Sequence, residues 1–125
     1  MDRAQPDILI VEDDAELAAL YQFLLQQEGW SSEIIDHGRT ALERLDTPPL
    51  PRLILLDLLL PQIDGSQILK KSRRLEPAPP VVVVSALGAR QREESLRLGA
   101  QAYFPKPFDP HQLLNTLRAL VPPSD

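Results

Sequence analysis

A chain of 125 residues, 43% hydrophobic and 25% charged, is long enough for one domain with a real hydrophobic core. Its formal net charge of -5 argues against nucleic-acid binding, and the lack of cysteine excludes a disulfide framework and a zinc–thiolate site. No apolar run approaches the roughly 20 residues of a membrane span, and Met1–Pro6 is too polar for a signal peptide. The expected setting is the cytoplasm, without membrane contact.

Asp7–Val11 is a short β-branched and apolar run that predicts a buried strand, and it ends in three acids, Glu12, Asp13 and Asp14. Leu17, Leu20, Tyr21, Leu24 and Leu25 then recur at helical period and predict one apolar helix face, with Gly29 as its stop. Ser32–Ile35 reads as a second, weaker strand. Gly38 to about Leu45 reads as a second helix with Ala41, Leu42 and Leu45 inward. The apolar run from Leu53 to Leu56 fits a third strand buried on both faces, and it ends in Asp57. Pro61 and the Asp64–Gly65 pair mark a loop. A helix from about Ser66 to Leu75 carries Ile68, Leu69 and Ser72 on one side. Val81–Val84 is the clearest strand by composition and ends at Ser85–Ala86. A helix around Gln91 to Leu98 stops at Gly99. Ala102–Phe104 is a short fifth strand, followed by Pro105, Lys106 and Pro107. The last helix, about Pro110 to Leu120, shows Leu113, Leu114, Leu117 and Leu120, and Pro110 suits a first helical turn. Nearly all of the 13 prolines fall between these segments, where a missing N–H does least harm.

Strand and helix alternate five times, which implies a parallel sheet covered by helices on both faces. With right-handed crossovers, the expected fold is α/β, a flavodoxin-like (βα)5 doubly wound sheet in order 2-1-3-4-5. Residues 1–121 are expected to form the domain and 122–125 a tail or the start of a linker.

In that order strands 1, 3, 4 and 5 share one carboxyl edge, where such sheets place their ligands. Their ends deliver Glu12 and Asp13, then Asp57, then Ser85, then Lys106. Three neighbouring carboxylates repel unless a cation joins them. A hard divalent ion such as Mg2+ resolves the conflict, and a hydroxyl and an ammonium opposite it make a socket for phosphoryl oxygens. Each residue alone has a plainer reading. Asp13 with Glu16 makes a capping box, unless Asp14 caps and frees Asp13. Asp57 reads as a turn residue, Ser85 as an end-of-strand hydrogen bonder, Lys106 as a solvated charge and Tyr103 as packing. His37 and His111 belong to no cluster with ligand spacing, and Trp30 reads as packing.

From about Asp7 to Leu120 the chain resembles the receiver domains of two-component response regulators. The motifs are Ile10-Val11-Glu12-Asp13-Asp14, Leu56-Asp57-Leu58-Leu59-Leu60-Pro61 with Asp64-Gly65, Val84-Ser85-Ala86 and Lys106-Pro107-Phe108. The resemblance implies that Asp57 is the phosphoacceptor, taking a phosphoryl group from a histidine kinase or phosphotransfer protein. It implies Mg2+ held by Asp13 and Asp57, by Glu12 through water, and by the main-chain carbonyl of Leu59. Ser85 would bond the phosphoryl group, Lys106 would pair with it, and Tyr103 would swing inward with Ser85. It implies a cis Lys106–Pro107 peptide. The surface of the fourth helix, fifth strand and fifth helix would then switch, to control a partner, an output domain or a homodimer.

Two other readings compete. A haloacid-dehalogenase-type phosphatase needs a second acid two residues after the nucleophile, where Leu59 stands. A non-phosphorylated pseudo-receiver would typically lack the acceptor, the acid pair or the lysine, all present here. The expected molecule is therefore a signalling domain rather than an enzyme. Leu59 and Leu87, two residues after Asp57 and Ser85, flank the path of the hydrolytic water in that family. Leucine at both positions predicts slow autodephosphorylation.

Overall fold

Four consecutive apolar residues with no exposed surface, Ile8–Val11, form β1 of the computed structural model, which describes residues 4–123. Its neighbours are β2 (Ser32–Ile35) and β3 (Leu53–Leu56), then β4 (Val81–Ser85) and β5 (Ala102–Pro105). All pairs are parallel and the sheet order is β2-β1-β3-β4-β5, the expected flavodoxin-like topology. Central strands buried on both faces explain why β1, β3 and β4 read as unbroken apolar runs.

The two-residue period of the strands divides the interior into two cores. Ile8, Ile10, Leu53, Leu55, Val82 and Val84 face α1 (Ala15–Glu28) and α5 (Pro110–Leu120). Leu9, Val11, Ile54, Leu56, Val81 and Val83 face α2 (Gly38–Arg44) and α3 (Ser66–Arg73). The remaining helix, α4 (Ala89–Arg97), buries only Ser95. Its start lies two residues before the expected Gln91, because its first residues, Ala89 and Arg90, are exposed and leave no apolar signal. Leu20 also departs from expectation. The sheet-facing residues of α1 are Ala18, Tyr21 and Leu25, and Leu20, on the opposite side, is 45% exposed.

Caps fix where helices meet strands. The Asp14 carboxylate accepts from the Glu16 and Leu17 N–H groups at 3.0 and 3.2 Å and starts α1, so Asp13 does not act as its cap. Gly29, with φ 99°, ends the helix in the left-handed region that favours glycine. Asp109 caps α5, with Pro110 in its first turn. At the opposite edge of the sheet Trp30 is buried and donates from Nε1 to the Val121 carbonyl at 2.8 Å, and Arg52 reaches the Pro122 carbonyl. The tail expected at 122–125 lies partly outside the described residues. Among those residues no helix is long and apolar enough to cross a membrane.

Gly65 holds the loop after β3 against its own start. A Cβ there would lie 2.5 Å from the Leu58 Cα and 2.8 Å from the Asp57 carbonyl oxygen. The Gly65 N–H donates to the Leu58 carbonyl at 2.9 Å, so the approach is a closed backbone turn. Gly65→Ala should therefore destabilise the fold by about 1–3 kcal/mol, the usual cost of overpacking. Urea unfolding reads this directly, and an unchanged midpoint would contradict the close approach.

Candidate functional site

The site is assembled by register. The Asp57 N–H donates to the Val11 carbonyl at 3.0 Å, which sets Asp57 beside Glu12 at the carboxyl edge. Glu12 is pinned from its other side by its own N–H to the Ile35 carbonyl at 3.1 Å. The Lys106 N–H donates to the Ser85 carbonyl at 2.9 Å, which carries the end of β5 to the end of β4. Residues from four places in the sequence thus meet on one edge, as the strand order predicts.

Lys106 is the centre of charge. Its Nζ donates to Glu12 Oε1 at 2.9 Å and to Asp57 Oδ2 at 2.8 Å. The second oxygen of each carboxylate is also engaged: Glu12 Oε2 accepts from the Asp14 N–H at 3.1 Å, and Asp57 Oδ1 from the Leu59 N–H at 2.9 Å. Both acids are buried, at 2% and 5% exposure. Burial raises the Glu12 pKa and outweighs the Lys106 and Asp14 hydrogen bonds, with the Asp57 charge adding to the rise. For Lys106, burial disfavours the ammonium, but the hydrogen bonds to Asp57 and Glu12 win and its pKa is raised.

Asp13 is exposed beside this pair, and one carboxylate oxygen from each of Glu12, Asp13 and Asp57 lies within 4.8 Å of the others. An all-oxygen donor set, open on one side, suits a hard ion such as Mg2+, which takes few carboxylates and keeps waters. The residues present therefore fit that ion.

Ser85 and Tyr103 form a second group, joined through the main chain of Leu87. The Leu87 N–H donates to Ser85 Oγ at 3.2 Å, and the Tyr103 hydroxyl donates to the Leu87 carbonyl. Tyr103 is buried, at 8% exposure. Leu59 is 57% exposed and shares an open groove with Leu87, Ile63 and Gln91. The Lys106–Pro107 peptide is cis, as the resemblance implied.

Four features escaped sequence reasoning. The Leu87 backbone link and the Leu59 N–H on Asp57 involve main-chain atoms, which leave no side-chain signature. In the sequence Gly65 marks a loop only. Its position one residue before a helix, after an apolar run, was the available sign of close packing. The fourth is the Tyr21 hydroxyl, buried without a hydrogen-bond partner.

Residues 8–118 match the family model described as the response regulator receiver domain. The chain is 37% identical over 115 residues to the transcriptional regulatory protein CpxR of Escherichia coli, a match covering 91% of this chain and 48% of that protein. It is 36% identical over 123 residues to the alkaline phosphatase synthesis transcriptional regulatory protein SphR of Synechococcus elongatus, with the same shares covered. The chain spans about half the length of these curated relatives. Among solved structures, the BeF3-activated N-terminal receiver domain of Klebsiella pneumoniae RstA aligns with TM-score 0.82 at 30% identity, over 90% of this chain and 96% of that one. The receiver domain of a Pseudomonas aeruginosa sensor histidine kinase, with a magnesium ion coordinated in its active-site cleft, aligns with TM-score 0.81 at 25% identity, over 94% and 98%.

The charge arrangement makes stability depend on pH with a definite sign. The raised Lys106 pKa gives a contribution that is complete below the ordinary lysine value of 10.5 and lost as pH rises through the folded value. The raised Glu12 pKa means the folded chain holds that proton more tightly, so stability falls as pH climbs from 4.5 through the folded value. Lys106→Met removes the cation that bridges two buried carboxylates. It should cost roughly 2 kcal/mol at neutral pH, less than the about 3–5 kcal/mol of a fully buried pair, because the Lys106 side chain is 22% exposed. Denaturant midpoints measured against pH should show this loss shrinking as Glu12 protonates; a loss constant with pH would refute the electrostatic account.

Proposed function

Since the chain belongs to the response-regulator receiver family, matched over residues 8–118, we propose that Asp57 accepts a phosphoryl group and that the domain relays the event to a partner or output domain. The donor is the phosphohistidine of a sensor histidine kinase or phosphotransfer protein. The observation that carries this reading is the lysine bridge between Asp57 and Glu12, with Asp13 alongside and Ser85 on the same edge.

Phosphoryl transfer asks mainly for positioning and for charge stabilisation. The Leu59 N–H and Lys106 hold the Asp57 carboxylate from both oxygens, so its orientation is set before a donor arrives. A carboxylate oxygen forms a bond to phosphorus as the N–P bond breaks, and the imidazole leaves with the electron pair and takes a proton. Glu12, Asp13, Asp57 and the Leu59 carbonyl would hold Mg2+, which when bound offsets the negative charge of the phosphoryl oxygens. Lys106 turns from the carboxylates to one phosphoryl oxygen, and the Ser85 hydroxyl donates to another.

Ser85 donates its O–H while Oγ keeps the Leu87 N–H, so a move of Ser85 toward the phosphoryl group draws Leu87 along, and with it the carbonyl that Tyr103 holds. The β4–α4 loop and Tyr103 thus shift together, and the surface of α4, β5 and α5 changes for a partner or a second copy. Moving such an equilibrium from 1:99 to 99:1 takes about 5.5 kcal/mol of differential affinity, within reach of several charge-assisted hydrogen bonds. A cytoplasmic setting and a domain boundary near residue 121 belong to the same proposal.

Incubation with acetyl phosphate should add one phosphoryl group by intact mass, only with Mg2+ and not in Asp57→Asn. A gain independent of Mg2+, or one surviving that substitution, would sink the reading. The shared groove of Leu59 and Leu87 supports slow loss of the group, since neither side chain can orient a water. Leu59→Asn with Leu87→Glu should speed decay by about tenfold, or 1.4 kcal/mol of barrier. Equal decay rates for the two proteins would remove both leucines from the account.

A further inference from the structure

Tyr21 carries a buried hydroxyl with no hydrogen-bond partner, alone in this among the buried side-chain polar atoms of the described residues. The residue is 2% exposed, in the core between the sheet, α1 and α5, and its ring stacks on Phe108 with centroids 5.4 Å apart. A buried hydroxyl without a partner is unfavourable, and phenylalanine would fill the same space without that cost.

Three constraints place the hydroxyl. First, α1 begins at the carboxyl edge of the sheet and runs away from it, and helical side chains lean back toward the helix N-terminus. The Tyr21 ring therefore extends toward the edge. Second, strand alternation continues the Ile8–Ile10 and Leu53–Leu55 face into Glu12 and Asp57, and the Ala102–Phe104 face into Lys106. These charges thus lie on the side of the sheet that α1 covers. Third, the stack on Phe108, two residues after Lys106, holds the ring beneath that strand end. In agreement, burial first, then the Glu12 and Asp57 charges, raise the Tyr21 pKa.

We propose that Tyr21 is a positioning residue for the phosphorylated state, its hydroxyl donating to the Glu12 carboxylate once Lys106 turns to the phosphoryl group. This rests on the phosphoacceptor reading of Asp57. In this structure Lys106 supplies the Glu12 Oε1 donor, while Oε2 holds the Asp14 N–H. When the lysine leaves, Oε1 loses that donor, and the oxygen, buried on the α1 side, has a lone pair for a new one beside its contact to Mg2+. Tyr21 is the unspent donor on that side of the sheet. No covalent step is involved; one hydrogen bond replaces another.

Tyr21→Phe tests this while keeping the ring and its stack. The probe is beryllofluoride with Mg2+, a mimic of the phosphoryl group. The variant should bind it roughly tenfold more weakly, as for a lost hydrogen bond to a charged group. Its thermal midpoint without the probe should be equal to or above that of the unaltered domain. With only two tyrosines in the chain, the Tyr21 Cζ signal is identified by its loss in Tyr21→Phe, and it should shift when the unaltered domain takes up the probe. Unchanged affinity, an unmoved Cζ signal, or weaker binding that tracks an equal loss of thermal stability would each overturn the proposal. If the unaltered domain takes up no beryllofluoride, or Asp57→Asn still does, the phosphoacceptor reading falls and this inference falls with it. Normal uptake with an indifferent Tyr21→Phe removes Tyr21 alone.

Discussion

Two buried carboxylates share one ammonium at the edge of the sheet, and the rest of the site depends on that arrangement. Glu12 and Asp57 are forced together by the pairing of β1 with β3, which is itself driven by burial of apolar runs. The sheet therefore creates an electrostatic conflict that its own hydrophobic interior cannot relieve. Lys106 relieves it from β5, the strand furthest along the sheet on that side, and only because its backbone is tied to Ser85. A divalent ion at the same oxygens would compete with the lysine for charge neutralisation. The protein thus holds its own cation at these oxygens, one from each of the two acids.

Much of this was legible in the sequence, for a definite reason. Buried parallel strands are nearly all apolar, so a charge at their carboxyl end stands out: Glu12 after Ile8–Val11, Asp57 after Leu53–Leu56, Ser85 after the valines. Proline spacing then sharpened the boundaries of the elements, and right-handed crossovers in a doubly wound sheet made 2-1-3-4-5 the expected order. What escaped was of another kind. Leu20 fits the helical period of α1 yet faces solvent, because a periodic stripe can be wider than the face the sheet covers. The start of α4 escaped because that helix buries almost nothing. The Leu87 link escaped because main-chain donors and acceptors are common to every residue.

The same alternation that separates the two cores also sorts the site. Glu12, Asp57 and Lys106 continue the face packed by α1 and α5, whereas Ser85 and Tyr103 continue the face of Val81, Val83 and α3. Charge and hydroxyl chemistry therefore converge from opposite sides of one sheet. The α1 side holds Tyr21 and Phe108 beneath the charges, and the other side holds Leu87 between Ser85 and Tyr103.

Such a division gives each side of the sheet a separate line of inheritance. Changes in α1 or around Phe108 act on how firmly the charges are held, whereas changes around α4 and Leu87 act on the link that joins Ser85 to Tyr103. Because the two sets of side chains are screened from each other by a single layer of backbone, one can drift while the other keeps its packing. A lineage could loosen or tighten the grip on its charges without disturbing the surface on the other side.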